Sequence, residues 1–198
     1  VFCLVGSVAW LPETRHAAAR TSAGFVTVIG GYGRLLSDRH FIGFALSGSL
    51  ASAGMFAYIA GSPGVFIDLH HVPAQYYGWL FGSNALGMIV ASQLNRRLLR
   101  QVAAGRVLMR ANLFNAGMGL LLGGLVATGT GGFAGILLPL FLYVASLGFI
   151  MPNSNALALA YQGARAGSAS GLLGTLHFSM AALAALAVGA LYDGTALP

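Results

Sequence analysis

The chain has 198 residues, of which 57% are hydrophobic and only 7% are charged, against about 25% charged residues in an average soluble domain. So little polarity excludes a water-soluble monomer. The net charge of +6 comes from arginines confined to short segments between long apolar runs, so it does not indicate nucleic-acid binding. A single cysteine, Cys3, excludes an intramolecular disulfide and a cysteine-rich metal site. The chain opens with Val1 inside an apolar run, and we expect it to be part of a longer protein.

Four long uncharged runs predict membrane-crossing helices at 41–67, 69–95, 111–164 and 166–192. A helix needs about 20 apolar residues to cross about 30 Å of hydrocarbon, so three of these runs hold one span each. The run at 111–164 holds two, because the glycine-rich stretch 128–132 divides it. The sequence therefore predicts five complete spans, and residues 1–12 are expected to be the end of a sixth. The predicted spans are 41–67, 75–96, 106–127, 133–156 and 168–192.

The arginines predict how these spans are oriented. All ten lie before the first complete span, between the second and third, or between the fourth and fifth. Asp68 and Asp193 lie in the other connections. Because basic segments stay in the cytoplasm, the arginine-bearing segments are predicted to be cytoplasmic.

Residues 13–40 form the predicted cytoplasmic linker. Apolar residues recur in it at helical spacing, which predicts an amphipathic helix lying on the membrane surface. Three glycines in this segment lower its helix propensity, so a linker without regular structure is the alternative. The apolar stripe consists of Phe25, Val28, Ile29, Tyr32, Leu35 and Leu36.

Several segments together carry a resemblance to a known family. They are WLPET (10–14), FAYIAGSPGVFI (56–67), YYGWLFGSNALGMIVASQLNRRLLR (76–100), MPNSNALAL (151–159) and YDG (192–194). In this order they resemble the Bcr/CflA drug-resistance subfamily of the major facilitator superfamily, along essentially the whole chain.

The resemblance implies an all-α membrane protein, the C-terminal half of a major facilitator fold in which two six-helix halves enclose a central cavity. Residues 1–12 would be the end of transmembrane helix 6, 13–40 the linker, and 41–198 the bundle of helices 7–11, with helix 12 missing. It implies a proton-coupled multidrug efflux transporter, a drug/H⁺ antiporter of the bacterial inner membrane that works by alternating access. The implied energy source is the proton gradient, with no cofactor. Substrates would be small lipophilic drug-like molecules, and the full-length protein would be a monomer in the lipid bilayer. The family's acidic coupling residues belong to the other half.

Polar side chains within the spans, together with Met55 and Ile150 on the same helical faces, are the candidate substrate-cavity residues. Each group shares one helical face, and a membrane helix normally keeps such groups away from lipid. The alternative is hydrogen bonding between helices or back to the same helix. One group is Met55, Tyr58 and Ser62, and the other is Tyr143, Ser146, Ile150 and Asn153.

His177 and three prolines are further candidates. His177 lies deep within the last span, where an ionisable residue suggests substrate binding or proton transfer, although a neutral histidine bonded to a neighbouring helix is the alternative. Pro63, Pro139 and Pro152 are predicted helix kinks, which could act as a gate. For Pro152, the alternative is a position near a helix end.

Three other function classes compete with transport of drugs. An intramembrane serine hydrolase would pair Ser170 with His177, but seven residues on one helix separate the side chains by about 10 Å, and no acid is present to orient the histidine. The sequence therefore predicts that the protein is not an enzyme. A major facilitator carrier for a metabolite and a non-transporting membrane scaffold stay open.

Overall fold

The computed structural model describes residues 25–130 and 132–194, together with Trp10. In this part the chain is helical throughout, with short turns between the helices. Its elements are α1 (Phe25–Ser37), α2 (Arg39–Pro63) with a π-helical continuation (Gly64–Leu69), α3 (Ala74–Leu98), α4 (Ala104–Thr128), α5 (Gly132–Leu159), a 3₁₀ turn (Gly163–Arg165) and α6 (Ala166–Leu191).

The five complete spans correspond to α2 through α6, within a few residues at each end. Among the described helices, four are both long and apolar enough to cross a membrane. The fifth, α3, has the 25 residues needed but is less apolar, because it carries polar side chains such as Asn84, Gln93 and Asn95. The predicted break in the run 111–164 is confirmed: α4 ends at Thr128, and Gly129 follows it in the left-handed conformation with a φ of 64°. The predicted end of a sixth span lies outside the described residues.

Helix α1 lies within the predicted linker and packs on the bundle. Leu35 is buried, with Tyr32 beside it, whereas Leu36 is 49% exposed. Helix α1 therefore contacts the bundle through Leu35 and not through Leu36, and the contact of its apolar stripe with the membrane surface stays a prediction. Phe25, Val28 and Ile29 belong to the helix, but their side chains lie outside the described part. The predicted domain boundaries stay predictions. The buried partners of Leu35 are Phe41, Ala45, Ala158, Ala169 and Leu173.

Helix α5 lies at the centre of the bundle. It packs against α2, α3 and α4, while α6 packs mainly against α2. Gly148 permits the close approach of α5 to α3: a methyl group there would overlap the carbonyl oxygen of Met88 and lie 2.9 Å from the backbone nitrogen of Ser92. The backbones of α2, α3 and α4 approach one another far less closely.

The connections that carry arginine meet at one end of the bundle. There the side-chain amide of Gln162 donates a hydrogen bond of 3.2 Å to Asp38, and Arg39 shares a groove with Gly105. At the opposite end, Tyr192 packs near Gly64. The described arginines thus share one end of the molecule, as the alternation along the sequence predicts. They are Arg34, Arg39, Arg96, Arg97, Arg100, Arg106, Arg110 and Arg165.

Candidate functional site

A cluster of polar and aromatic side chains joins α2 and α3, and two of its members, Tyr58 and Ser62, border a cavity. The Nδ2 atom of Asn84 donates a hydrogen bond of 3.0 Å to the hydroxyl of Tyr58, and the hydroxyls of Ser62 and Tyr77 are 2.7 Å apart. The ring of Phe81 stacks on that of Tyr58, with centroids 5.6 Å apart and planes 14° apart. We call these five residues the Tyr58 cleft.

Helical spacing explains why these side chains meet. Tyr58 and Ser62 are four residues apart on α2, while Tyr77, Phe81 and Asn84 recur at i, i+4 and i+7 on α3. The two helices touch here through their side chains, and their backbones do not approach closely.

The side chains of the Tyr58 cleft are uncharged, which suits the binding of neutral molecules. Asn84 and Ser62 are each 5% exposed, and the three aromatic rings are half-buried. The cleft offers hydroxyl and amide groups, which can donate and accept hydrogen bonds, together with ring faces, but its five residues contain no charge. Such a surface can bind uncharged or weakly charged lipophilic molecules.

Tyr143 lies in a second recess, between α2, α4 and α5. Its hydroxyl points at Gly54 of α2, where a methyl group would overlap it, and its ring is 3.5 Å from the position of a methyl group at Gly119 of α4. The two glycines therefore make room for the tyrosine. A cavity of about 350 Å³ opens beside it, and Tyr58 and Ser62 also line this cavity. The structure thus brings three of the predicted cavity residues together, and we call this recess the Tyr143 groove.

Ser146 and Asn153 lie in hydrogen bonds between helices. Ser146 accepts a hydrogen bond of 2.8 Å from the amide of Asn115 on α4 and donates one of 2.7 Å to the carbonyl oxygen of Tyr143. Asn153 is 1% exposed and donates a hydrogen bond of 2.7 Å to the side-chain oxygen of Asn95 on α3. For both residues, this geometry favours the alternative role of joining helices.

Met55 and Ile150 are in apolar packing. Ile150 is 1% exposed and forms a cluster with Leu147, Leu108 and Ala51, against which Met55 packs. The structure therefore places these two side chains in the contact between α2, α4 and α5.

His177 lies at a junction of three helices. It is 9% exposed on α6, and a methyl group at Gly48 of α2 would be 2.6 Å from its Nε2 atom and 2.7 Å from the hydroxyl of Ser154 on α5. Within 25–130 and 132–194, this Nε2 atom has no hydrogen-bond partner. Gly48 is ten residues from Tyr58 along α2, about 15 Å, so the structure does not bring His177 to the Tyr58 cleft. Ser170 is exposed, unlike His177, which agrees with rejecting a serine–histidine pair.

The prolines have two different settings. Pro63 is the last residue of α2, and the chain continues from it into the wider π-helical turn, in which the N–H of His70 bonds to the carbonyl oxygen of Val65. Pro139 and Pro152 lie inside α5, which continues through both of them to Leu159. Pro152 lies about two turns before the end of α5 at Leu159, so the helix does not end beside it, while kinking stays a prediction.

The sequence reasoning missed the α3 side of the Tyr58 cleft. Neither Tyr77 nor Asn84 was among the predicted cavity residues. A signal existed, since Asn84 is an amide near the middle of an uncharged predicted span, where it needs a partner. Gly54 and Gly119 had no such signal, because the sequence has 29 glycines and does not show which ones face a tyrosine.

Comparisons with known proteins give two relatives. The chain is 32% identical over 191 residues, which are 95% of it, to the uncharacterized MFS-type transporter YdgK of Bacillus subtilis, and the match covers 46% of that protein. It is 28% identical over 190 residues, again 95% of it, to a bicyclomycin resistance protein homolog of Haemophilus influenzae, of which 47% is covered. The chain thus spans about half the length of these curated relatives. No protein-family model matches it, and no solved structure matches it significantly.

Fold and relatives together define the class. The chain is a multi-pass membrane protein whose described residues are helical, and the predicted fold class is confirmed: its relatives are MFS-type transporters about twice its length. Its relatives are MFS-type transporters, one of which is named for drug resistance.

Proposed function

We propose that this chain is half of a proton-coupled multidrug exporter of the Bcr/CflA subfamily, a drug/H⁺ antiporter of the bacterial inner membrane. Two helix bundles would rock about a cavity at the middle of the membrane and open it to each side in turn. The relative named as a bicyclomycin resistance protein homolog supports this proposal, as does the sequence resemblance stated above.

The observation that carries the proposal is the neutral chemistry of the Tyr58 cleft and the Tyr143 groove. The described residues that line both are apolar, aromatic or hydrogen-bonding, and none is charged. A metabolite with a carboxylate or phosphate needs a charged partner to replace its water. A lipophilic drug needs ring faces and a few hydrogen bonds. The site therefore favours drug export over the alternative of a metabolite carrier.

Each residue has a proposed role. The ring of Tyr58 stacks on flat parts of the substrate, while its hydroxyl and the amide of Asn84 exchange their mutual hydrogen bond for one to the substrate. Tyr143 forms the far wall, and Gly54 leaves space beside it. Ser62 and Tyr77 hold α2 and α3 together at one end of the cleft.

Proton coupling is proposed to lie outside this chain. Within the described helices, no acidic side chain lies in the interior of a span: Asp38 precedes α2, and Asp68 is in the exposed end of its π-helical continuation. The acids that take up protons would belong to the half that completes the transporter. The proton gradient would be the only energy source, with no cofactor and no covalent chemistry, and the completed transporter would be a monomer.

Removal of single hydroxyl groups tests the site. Tyr58→Phe and Tyr143→Phe are introduced into the full-length gene in an efflux-deficient bacterium, and resistance to several unrelated drugs is measured beside melting curves in detergent. We expect the relative resistance to the different drugs to change. Resistance to some drugs should fall several-fold, while expression and melting temperature stay nearly constant. Tyr161→Phe removes the same atom from a side chain that is 84% exposed and is the matched control.

Two other results would contradict the proposed function. A uniform loss for all drugs that follows a fall in melting temperature would show that the two tyrosines only pack helices. If the full-length protein conferred no resistance at normal expression, the metabolite carrier or the scaffold would replace the exporter. The 198-residue chain alone is expected to confer none, because it lacks the proposed coupling acids.

A further inference from the structure

An apolar groove runs along the bundle between α3 and α4, with α5 as its floor. Its volume is about 700 Å³, twice that of the Tyr143 groove, and apolar side chains line nearly all of it. Leu86, Val90 and Phe114 are exposed along its walls. On the floor, the ring of Phe141 packs directly against the backbone of α3 at Gly87, where a methyl group would be 2.7 Å from it. The other residues that line the groove include Leu94, Leu98, Val102, Val107 and Phe149.

One end of this groove is positively charged. Arg110 is the one charged residue among the described groove-lining side chains, and it lies six residues, or about 9 Å, into α4. Four further arginines, at 96, 97, 100 and 106, are exposed in the adjoining end of α3, the connection and the start of α4. The cationic end is thus continuous with a long apolar channel.

Acidic residues of the same helices cannot neutralise this cluster. The sequence has no Asp or Glu between Asp68 and Asp193, which covers α3, α4 and α5 entirely. Asp38, at the same end of the bundle, bonds to Gln162 and to the first N–H groups of α2. The cluster therefore has an excess of positive charge in the zone where a membrane presents its phosphates.

We propose that the α3–α4 groove is a binding site for an anionic phospholipid, with an acyl chain along the groove and the phosphate bound by Arg110. The apolar walls match the chain, and the guanidinium group matches the phosphate oxygens in charge and planar geometry. Arginines near an anionic leaflet attract it even without a specific site. The groove adds a fixed position for one lipid, because Arg110 lines the channel that receives the chain.

Native mass spectrometry of the full-length protein in detergent tests this site. Phosphatidylglycerol is titrated against phosphatidylcholine with the same acyl chains and against free glycerol 3-phosphate. We expect one phosphatidylglycerol to remain bound at concentrations about tenfold lower than phosphatidylcholine, and glycerol 3-phosphate to compete poorly. Arg110→Gln should weaken phosphatidylglycerol binding about tenfold. The matched control is Arg100→Gln, the same change of charge at an exposed residue outside the groove, and it should change binding less than twofold.

A second pair of variants tests the groove without changing any charge. Val90→Trp puts a large ring into the channel, whereas Leu186→Trp adds the same ring on α6, at a side chain that is 69% exposed. Only the first should reduce lipid binding. Equal losses for Arg110→Gln and Arg100→Gln would mean a diffuse basic surface and would overturn the proposal. Equal binding of both lipids, or full competition by glycerol 3-phosphate, would overturn it too. So would a change of oligomeric mass in Val90→Trp, since that would show a protein occupant.

Discussion

The side-chain amides of Asn95 and Asn153 form a hydrogen bond of 2.7 Å between α3 and α5, and the two residues are 3% and 1% exposed. Because water cannot reach either amide, their polar atoms need hydrogen-bond partners within the protein. The two amides bond to each other, and Asn153 also bonds to the carbonyl oxygen of Phe149. The Asn95–Asn153 bond joins the arginine-bearing end of α3 to the central helix.

Breaking this pair should destabilise the bundle. Asn95→Leu leaves the amide of Asn153 without its partner on α3, and we expect a loss of about 1 kcal/mol in the free energy of unfolding, since interhelical bonds in membranes contribute little more. The double variant Asn95→Leu/Asn153→Leu should lose less than the sum of the single variants. The measurement is denaturant unfolding of the full-length protein in detergent. Strict additivity of the two losses would contradict a direct interaction.

Gly148 and Gly117 offer a matched test of helix packing. Gly148→Ala places a methyl group against the backbone of Met88 and Ser92, which cannot move aside as a side chain can, so α3 must separate from α5. We expect a loss of about 1–3 kcal/mol, the usual effect of overpacking. Gly117→Ala adds the same group to α4 where nothing lies within 4 Å, and the better helix propensity of alanine should leave stability equal or higher. Melting temperatures in detergent compare the two, and equal values would refute the close contact.

Asp38 should make stability depend on pH in the acid range. The hydrogen bond from Gln162, followed by those from the N–H groups of Phe41 and His40, lowers the pKa of Asp38 below its usual value of 3.8. A lowered pKa in the folded state means that these bonds stabilise fully above 3.8, and that the stabilisation is lost as the pH falls through the folded-state pKa. Asp38→Asn keeps the capping oxygen but cannot ionise, so its melting temperature should depend less on pH in this range. Asp68→Asn removes the same charge at the other end and is the control. An equal pH dependence in the wild type and in Asp38→Asn would exclude this role.

The orientation in the membrane can be tested by reporter fusions. We expect fusions at Thr130 and Gly194 to report the periplasm, and fusions at Ala103 and Ala164 to report the cytoplasm, because the arginines lie at the end that bears the second pair. One clean reversal among the four would contradict the arrangement of five spans.

The helices were predictable because both their lengths and their ends are local properties of the sequence. Charged residues mark the ends of the uncharged runs, and the glycine-rich stretch 128–132 marks the break between α4 and α5. The π-helical turn after Pro63 was not predicted, because a wider turn leaves no sign in hydropathy. The sequence also did not show that Leu35, and not Leu36, contacts the bundle, since this depends on how α1 rests on its neighbours.

The candidate site was only half predictable. Tyr58 and Ser62 could be found because hydroxyl groups within a span need partners, and their spacing puts them on one face. Their partners Asn84 and Tyr77 depend on the rotation of α3 against α2, which no single helix encodes. For the same reason, the face of α5 that carries Ser146 and Asn153 was assigned to a cavity, whereas these two side chains bond to α4 and α3.

The central position of α5 has a consequence for how the protein is made. Helices α2, α3 and α4 leave the ribosome before α5 and approach one another little in the finished bundle, so most of their interhelical packing partners are not yet synthesised when they enter the membrane. Until α5 arrives and joins all three, each helix satisfies its own backbone, and only side-chain contacts such as the Ser62–Tyr77 hydrogen bond link α2 to α3. A ribosome stalled before α5 is complete should therefore carry a chain that is inserted but sensitive to proteases. Protection should appear in one step, only once Leu159 has entered the bilayer.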